Sequence, residues 1–129
     1  MAPPASPSDP MKRVLFVEDE ASLRTSYLRF FAGRYELAFA GTGGECLAQL
    51  QVFQPDVIVL DLRLPDTDGV ALLQNIRKTH PTIPVVVTTA YMSMEPLISM
   101  LDLEHSAYLI KPFDLNELAA RIEAAGKSR

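Results

Sequence analysis

The chain has 129 residues, of which 48% are apolar, and a formal net charge of −4 at pH 7. That length suits one hydrophobic core burying about two-thirds of the unfolded surface, with no disulfide or structural metal required. A lone cysteine (Cys46) points to a reducing, cytoplasmic setting, no apolar run reaches the ~20 residues of a membrane span, no signal pattern opens the chain, and the acidic balance argues against direct nucleic-acid binding.

Residues 1–11 read as a disordered tail, native or appended, because four of the ten prolines (Pro3, Pro4, Pro7, Pro10) crowd it and large apolar groups are scarce. Beyond it two periodicities alternate. Val14–Val17 is a short apolar run that ends in acid, as a buried strand would. Leu23, Tyr27, Phe30 and Phe31 follow at helical spacing, and Gly33 closes that helix. Tyr35–Ala40 is the second strand, and Gly41-Thr42-Gly43 leads into a helix carrying Cys46, Leu47 and Leu50. Cys46 reads there as a small core residue. Pro55 precedes the clearest strand, Val57–Leu60. A loop containing Pro65 and Asp68-Gly69 precedes a third helix with Leu72, Leu73 and Ile76, in which Asp66 and Asp68 shape the loop and cap the helix. Pro81 and Pro84 frame the strand Val85–Thr88. A methionine-rich fourth helix spans about 94–103, the strand Ala107–Ile110 meets Lys111-Pro112, and Asp114 caps a fifth helix bearing Leu115, Leu118 and Ile122. His80 and His105 fall at element ends without metal-ligand spacing. Residues 126–129 begin a linker or C-terminal tail.

Five short, nearly all-apolar strands alternating with helices predict a parallel sheet covered on both faces. The corresponding architecture is a flavodoxin-like (βα)5 three-layer sandwich with strand order 2-1-3-4-5. In such sheets ligands bind beyond the carboxyl ends of the strands. The first strand delivers Glu18 and Asp19 there, the third Asp61, the fourth Thr88 and Thr89, and the fifth Lys111. Each alone has an ordinary explanation: acids favour helix N-termini, aspartates favour turns, and threonines favour strands. Their joint occurrence at four strand ends is what points to a site.

Three carboxylates at one edge carry a charge of −3, which is costly unless neutralised. Lys111 supplies +1, and a hard divalent cation such as Mg²⁺, content to keep part of its hydration shell, supplies the rest. Asp61 can then act as a carboxylate nucleophile toward a phosphoryl donor, with Lys111 and a threonine hydroxyl on the phosphoryl oxygens.

The motifs Val-Glu-Asp-Glu (17–20), Asp-Leu-Arg-Leu-Pro-Asp-Thr-Asp-Gly (61–69), Thr-Ala-Tyr (89–91) and Tyr-Leu-Ile-Lys-Pro-Phe (108–113) fall at spacings of 61 − 19 = 42, 89 − 61 = 28 and 111 − 61 = 50. Over residues 12–125 the chain resembles the receiver domain of a bacterial two-component response regulator. That resemblance implies Asp61 as phospho-acceptor and Asp19 as a direct Mg²⁺ ligand, with Mn²⁺ able to substitute. Glu18 would act through water, and the main-chain carbonyl of Arg63 would be a further ligand. It also implies Thr89, rather than Thr88, and Tyr108 as the switch pair, and a cis peptide between Lys111 and Pro112. Glu18 departs from the family's more frequent aspartate by one methylene. Arg63 and Tyr91, two residues beyond Asp61 and Thr89, border the acyl phosphate and are expected to slow its hydrolysis.

The implied function is self-catalysed aspartyl phosphorylation and dephosphorylation in a phosphorelay, not conventional turnover. The implied donor is a sensor histidine kinase or histidine phosphotransfer protein. The implied readout is the surface of the fourth helix, fifth strand and fifth helix, which would meet an output domain, an effector or a second copy in a homodimer. An electron carrier of the same architecture that binds flavin mononucleotide is disfavoured, because three acids replace the phosphate loop it would need after the first strand. A receiver lacking phosphorylation is disfavoured because all the acidic, threonine and lysine positions are present.

Overall fold

The computed structural model describes residues 11–90 and 106–127. The expected N-terminal tail (1–10), Tyr91, the fourth predicted helix (94–103), His105 and residues 128–129 lie outside the described residues.

Five parallel strands, β1 (Arg13–Val17), β2 (Glu36–Ala40), β3 (Val57–Asp61), β4 (Val85–Thr89) and β5 (Ser106–Ile110), form one sheet in the order β2-β1-β3-β4-β5. The described helices are α1 (Ala21–Phe31), α2 (Gly43–Val52), α3 (Gly69–Thr79) and α4 (Leu115–Lys127), the last being the fifth predicted from sequence.

Strand periodicity sorts the core into two layers. Leu15, Val17, Ile58, Leu60, Val85 and Val87 face α2 and α3, meeting Cys46, Leu50, Leu73 and Ile76. Their alternates Val14, Phe16, Val57, Val59 and Val86 face α1 and α4, meeting Tyr27, Phe31, Leu118 and Ile122. Every described residue of β3 and β4 is buried, the signature of strands covered on both faces, and each such Val, Leu, Ile or Phe is worth about 1.5–3 kcal/mol. The edge strand β2 is only half-buried, and Arg13 pairs with Glu36 along it at 2.8 Å. Burial pushes the Cys46 thiol up to about 12, so it is an inert core group.

Local signals set the boundaries. Gly33 follows α1 at φ +84°, a conformation that glycine adopts without cost. Thr42 caps α2 by accepting from the Glu45 amide, and Glu45 Oε1 accepts from the Gly41 amide in return. Asp68 caps α3 through the Val70 amide, and Asp114 accepts from the Asn116 amide at the start of α4. Of the two loop aspartates, only Asp68 serves α3. Asp66 reaches across to α2, accepting from the Gly43 amide at 2.8 Å and the Gly44 amide at 3.1 Å.

Candidate functional site

The carboxyl ends of β1, β3, β4 and β5 meet at one edge of the sheet. β1 runs directly into Glu18, which is 1% exposed although ionisable, and whose amide donates to the Ala40 carbonyl at the end of β2. Asp19, one residue on, is exposed. Asp61 ends β3 at 3% exposure, in register with Thr88 of β4. Carboxylate oxygens of Glu18, Asp19 and Asp61 lie within 4.8 Å of one another.

Lys111 leaves β5 and divides its ammonium between two of these acids, at 2.8 Å from Asp61 Oδ2 and 3.0 Å from Glu18 Oε1. The other Asp61 oxygen, Oδ1, accepts from the Arg63 amide at 2.9 Å. The Lys111–Pro112 peptide is cis. These contacts hold the Asp61 carboxylate at the floor of a cleft of about 480 Å³ whose walls include Asp19, Arg63, Pro65, Ala90 and Lys111.

The electrostatics follow from that packing. Burial first, and then the Asp61 charge, raise Glu18 from 4.5 to about 7, against the pull of Lys111. Burial would lower Lys111, but its hydrogen bonds to Asp61 and Glu18, and their charges, more than offset this and hold it above its ordinary value. Three carboxylates and one ammonium leave a formal charge of −2 when all are ionised. An all-oxygen donor set of that charge fits a hard divalent cation.

The two threonines, both buried, are separated by strand alternation. Thr89 shares the face of Val85 and Val87, where Tyr108 is packed, with Tyr108 in register with Val87. Thr88 faces the opposite layer, beside Asp61 in register. Asp19, Asp61, Arg63 and Lys111 therefore line one cleft, Glu18 lies behind it on Lys111, and Thr89 and Tyr108 share one side of the sheet.

A family model described as the response regulator receiver domain matches residues 14–123. The chain belongs to the response regulator receiver family. This receiver domain is 37% identical over 113 residues to the DNA-binding transcriptional regulator NtrC of Salmonella typhimurium, a match covering 87% of the chain and 24% of that protein. It thus spans about a quarter of the length of the NtrC and ZraR proteins it matches. Among solved structures, the apo receiver domain of nitrogen regulatory protein C matches with a TM-score of 0.80 at 36% identity, covering 91% of this chain and 95% of that one. The response regulator TrrA of Thermotoga maritima, solved in complex with Mg²⁺-BeF, matches with a TM-score of 0.79 at 27% identity, covering 89% and 99%. No helix among the described residues of the receiver is long and apolar enough to cross a membrane.

Two further residues of this receiver shape the site. Arg24, on the first turns of α1, donates to the Glu18 carbonyl at 2.7 Å and so braces the acidic turn from behind. Tyr27 stacks on Phe16 with ring centroids 4.7 Å apart, and its buried hydroxyl has no hydrogen-bond partner among the described residues, nor does that of Thr88. Burial, and then the charges of Glu18 and Asp61, push the Tyr27 phenol above its ordinary range. Arg24 carries a sequence signal, a cation four residues after Glu20. Tyr27 carries none, since an aromatic at that spacing reads simply as core.

Proposed function

We propose that this receiver domain accepts a phosphoryl group on Asp61 from a sensor histidine kinase or histidine phosphotransfer protein. The observation that carries the reading is the Asp61 carboxylate itself: buried at a central strand end, fixed at both oxygens by Lys111 and the Arg63 amide, and open to a cleft. An Asp61 oxygen attacks phosphorus, the phosphorus–nitrogen bond of the donor phosphohistidine breaks, and the imidazole leaves with the electron pair and takes up a proton. Mg²⁺, for which Mn²⁺ can substitute, would be held by Asp19, Asp61 and the Arg63 carbonyl, with Glu18 acting through water. When bound it neutralises the charge that would otherwise repel an anionic donor. TrrA, solved with Mg²⁺-BeF, supports that assignment by its similarity. Lys111 moves from carboxylate partner to phosphoryl ligand as the acyl phosphate forms, and the Thr89 hydroxyl takes another phosphoryl oxygen. Thr89 is favoured over Thr88 because it shares its sheet face with Tyr108, whose ring follows the threonine inward. The surface of β5, α4 and the predicted 94–103 helix then carries the signal to an output domain, an effector or a second copy.

Phos-tag electrophoresis with acetyl phosphate and Mg²⁺ tests this. The wild type should give a shifted band that Asp61→Asn lacks entirely. Absence of an Asp61-dependent band with both acetyl phosphate and a phosphohistidine donor would overturn the reading.

Arg63 lines the cleft and is exposed, which supports a role for its long cationic side chain in shielding the acyl phosphate from water. The Arg63→Ala, Tyr91→Ala double variant should dephosphorylate several-fold faster than wild type. An unchanged decay of the phosphorylated band would remove both side chains from control of its lifetime.

A further inference from the structure

The loop between β3 and α3 is fixed at its base. The Gly69 amide donates to the Leu62 carbonyl at 3.0 Å, Arg63 and Asp68 form an isolated bridge, and Asp68 caps α3. Its tip is held differently. Asp66 lays both carboxylate oxygens on the first two amides of α2, Oδ1 on Gly43 and Oδ2 on Gly44, from 23 and 22 residues away. The amides of residues 43–45 have no partner within their helix, and α2's own cap, Thr42, satisfies only Glu45. The foreign carboxylate satisfies the other two.

The approach is close enough to restrict the sequence. A Cβ on Gly43 would lie 2.5 Å from Thr67 Cγ2, so the loop packs where any other residue's side chain would begin. The two amides hold Asp66 below the usual carboxylate range, favouring the charged, accepting form.

We propose that Asp66 is a positioning residue for Asp61 chemistry, clamping the tip of the 62–69 loop to α2 so that Arg63 is presented correctly. This rests on the phosphoacceptor reading above. Arg63 lies three residues before Asp66 in the same loop. Its amide fixes Asp61 Oδ1, and its carbonyl is the assigned cation ligand. The base holds Arg63 only through its bridge to Asp68, so releasing the tip removes a second restraint from the segment that carries Arg63 and loosens both of its main-chain groups.

The test compares Asp66→Ala, Asp66→Asn and Thr42→Ala with wild type. Mg²⁺ affinity is measured by calorimetry and by the Arg63 amide NMR shift, alongside the initial rate of phosphorylation by acetyl phosphate. Asp66→Ala should weaken Mg²⁺ binding by about tenfold and slow phosphorylation in proportion at sub-saturating Mg²⁺. Asp66→Asn, which keeps an acceptor oxygen for Gly43, should recover part of both. Thr42→Ala weakens the same helix end without touching the loop and should leave Mg²⁺ affinity at the wild-type value.

The proposal is overturned if Asp66→Ala binds Mg²⁺ within about twofold of wild type, whatever its stability. It is equally overturned if Thr42→Ala reproduces the loss, since fraying of α2 would then be the cause. If Asp66→Ala fails to fold, Asp66→Asn decides alone: weakened Mg²⁺ affinity together with a freely exchanging Gly44 amide supports the clamp, and wild-type affinity with that amide freely exchanging overturns it. Failure of wild type itself to phosphorylate overturns the phosphoacceptor reading, while the Mg²⁺ arm still reads the clamp.

Discussion

Replacing Glu18 with glutamine is expected to stabilise the metal-free protein by about 3 kcal/mol at pH 8 and by almost nothing below pH 4.5. Glu18 is fully buried beside Asp61, and burial followed by that like charge raises it from 4.5 to about 7. A group whose folded value lies above its unfolded value favours the folded state while protonated. Its contribution is therefore intact below pH 4.5, where both states are protonated, and is lost as pH rises through 7, where the folded state alone must hold the charge out of water. Glutamine keeps the length of the side chain and removes the charge, and its one acceptor oxygen can serve either the Glu20 amide, now 3.2 Å from Glu18 Oε2, or Lys111, now 3.0 Å from Oε1.

Urea midpoints from pH 4 to pH 8 in EDTA should give two curves that diverge as pH rises, wild type falling below the variant. Excess Mg²⁺ should raise the wild-type curve at high pH and close most of the gap, because a bound cation stabilises the ionised carboxylate. A gap independent of pH would show that Glu18 is not the group that titrates. The same reasoning explains why a stability cost persists at this strand end. An acid that the fold holds reluctantly is one whose charge a cation can satisfy, so under the proposed function the instability of the metal-free state would be the counterpart of affinity for the metal.

How far this was readable in the sequence depends on where each cause lies. β1, β3 and β4 were legible because burial on both faces writes itself as an unbroken apolar run, and β4 ends one residue later than the run Val85–Thr88 suggested. The edge strand β2, half-buried, was predicted to begin at Tyr35 and begins at Glu36. The site was legible for a topological reason. A parallel sheet gathers the residues that follow its strands, so Glu18, Asp19, Asp61 and Lys111 could be brought together without any knowledge of side-chain direction.

What the sequence withheld is whatever depends on distances across the chain. Asp66 looked like a residue shaping its own loop, and nothing local says that its carboxylate reaches a helix end at Gly43. An acidic run before a helix is ordinarily solvated, so the burial of Glu18 beside exposed Asp19 could not be inferred. Lys111 promised a cation, but its division between Glu18 and Asp61 is set by how the end of β5 reaches past β4 toward the ends of β3 and β1. Thr88 and Thr89 were told apart in the sequence only by the resemblance, and strand alternation now assigns them to opposite layers.

Among the glycines whose surroundings are described, Gly69→Ala is expected to be the most damaging substitution, costing about 3–5 kcal/mol and lowering the melting temperature by roughly 10–20 °C. A Cβ at Gly69 would lie 2.3 Å from Leu62 Cα, 2.4 Å from its carbonyl oxygen and 2.6 Å from its carbonyl carbon, all of them backbone atoms that no rotamer change can move. The chain must separate by about an ångström, which breaks the Gly69–Leu62 hydrogen bond at the point where β3 leaves the sheet.

Gly33 makes the opposite case. Its φ of +84° is one that other residues rarely adopt, but no atom of the described residues lies within 4 Å of the place a Cβ would take, so Gly33→Ala should cost only about 1 kcal/mol. Backbone angle alone would rank Gly33 as the more sensitive position; contact reverses the order. Calorimetric melting of the two variants distinguishes the criteria, and a Gly69→Ala protein melting within a few degrees of wild type would mean that the loop does not approach Leu62 this closely. The functional consequence should exceed the thermal one. Leu62 directly follows Asp61, so displacing it moves the proposed acceptor carboxylate relative to Lys111, and phosphorylation by acetyl phosphate should fall more than tenfold even at temperatures where Gly69→Ala is fully folded.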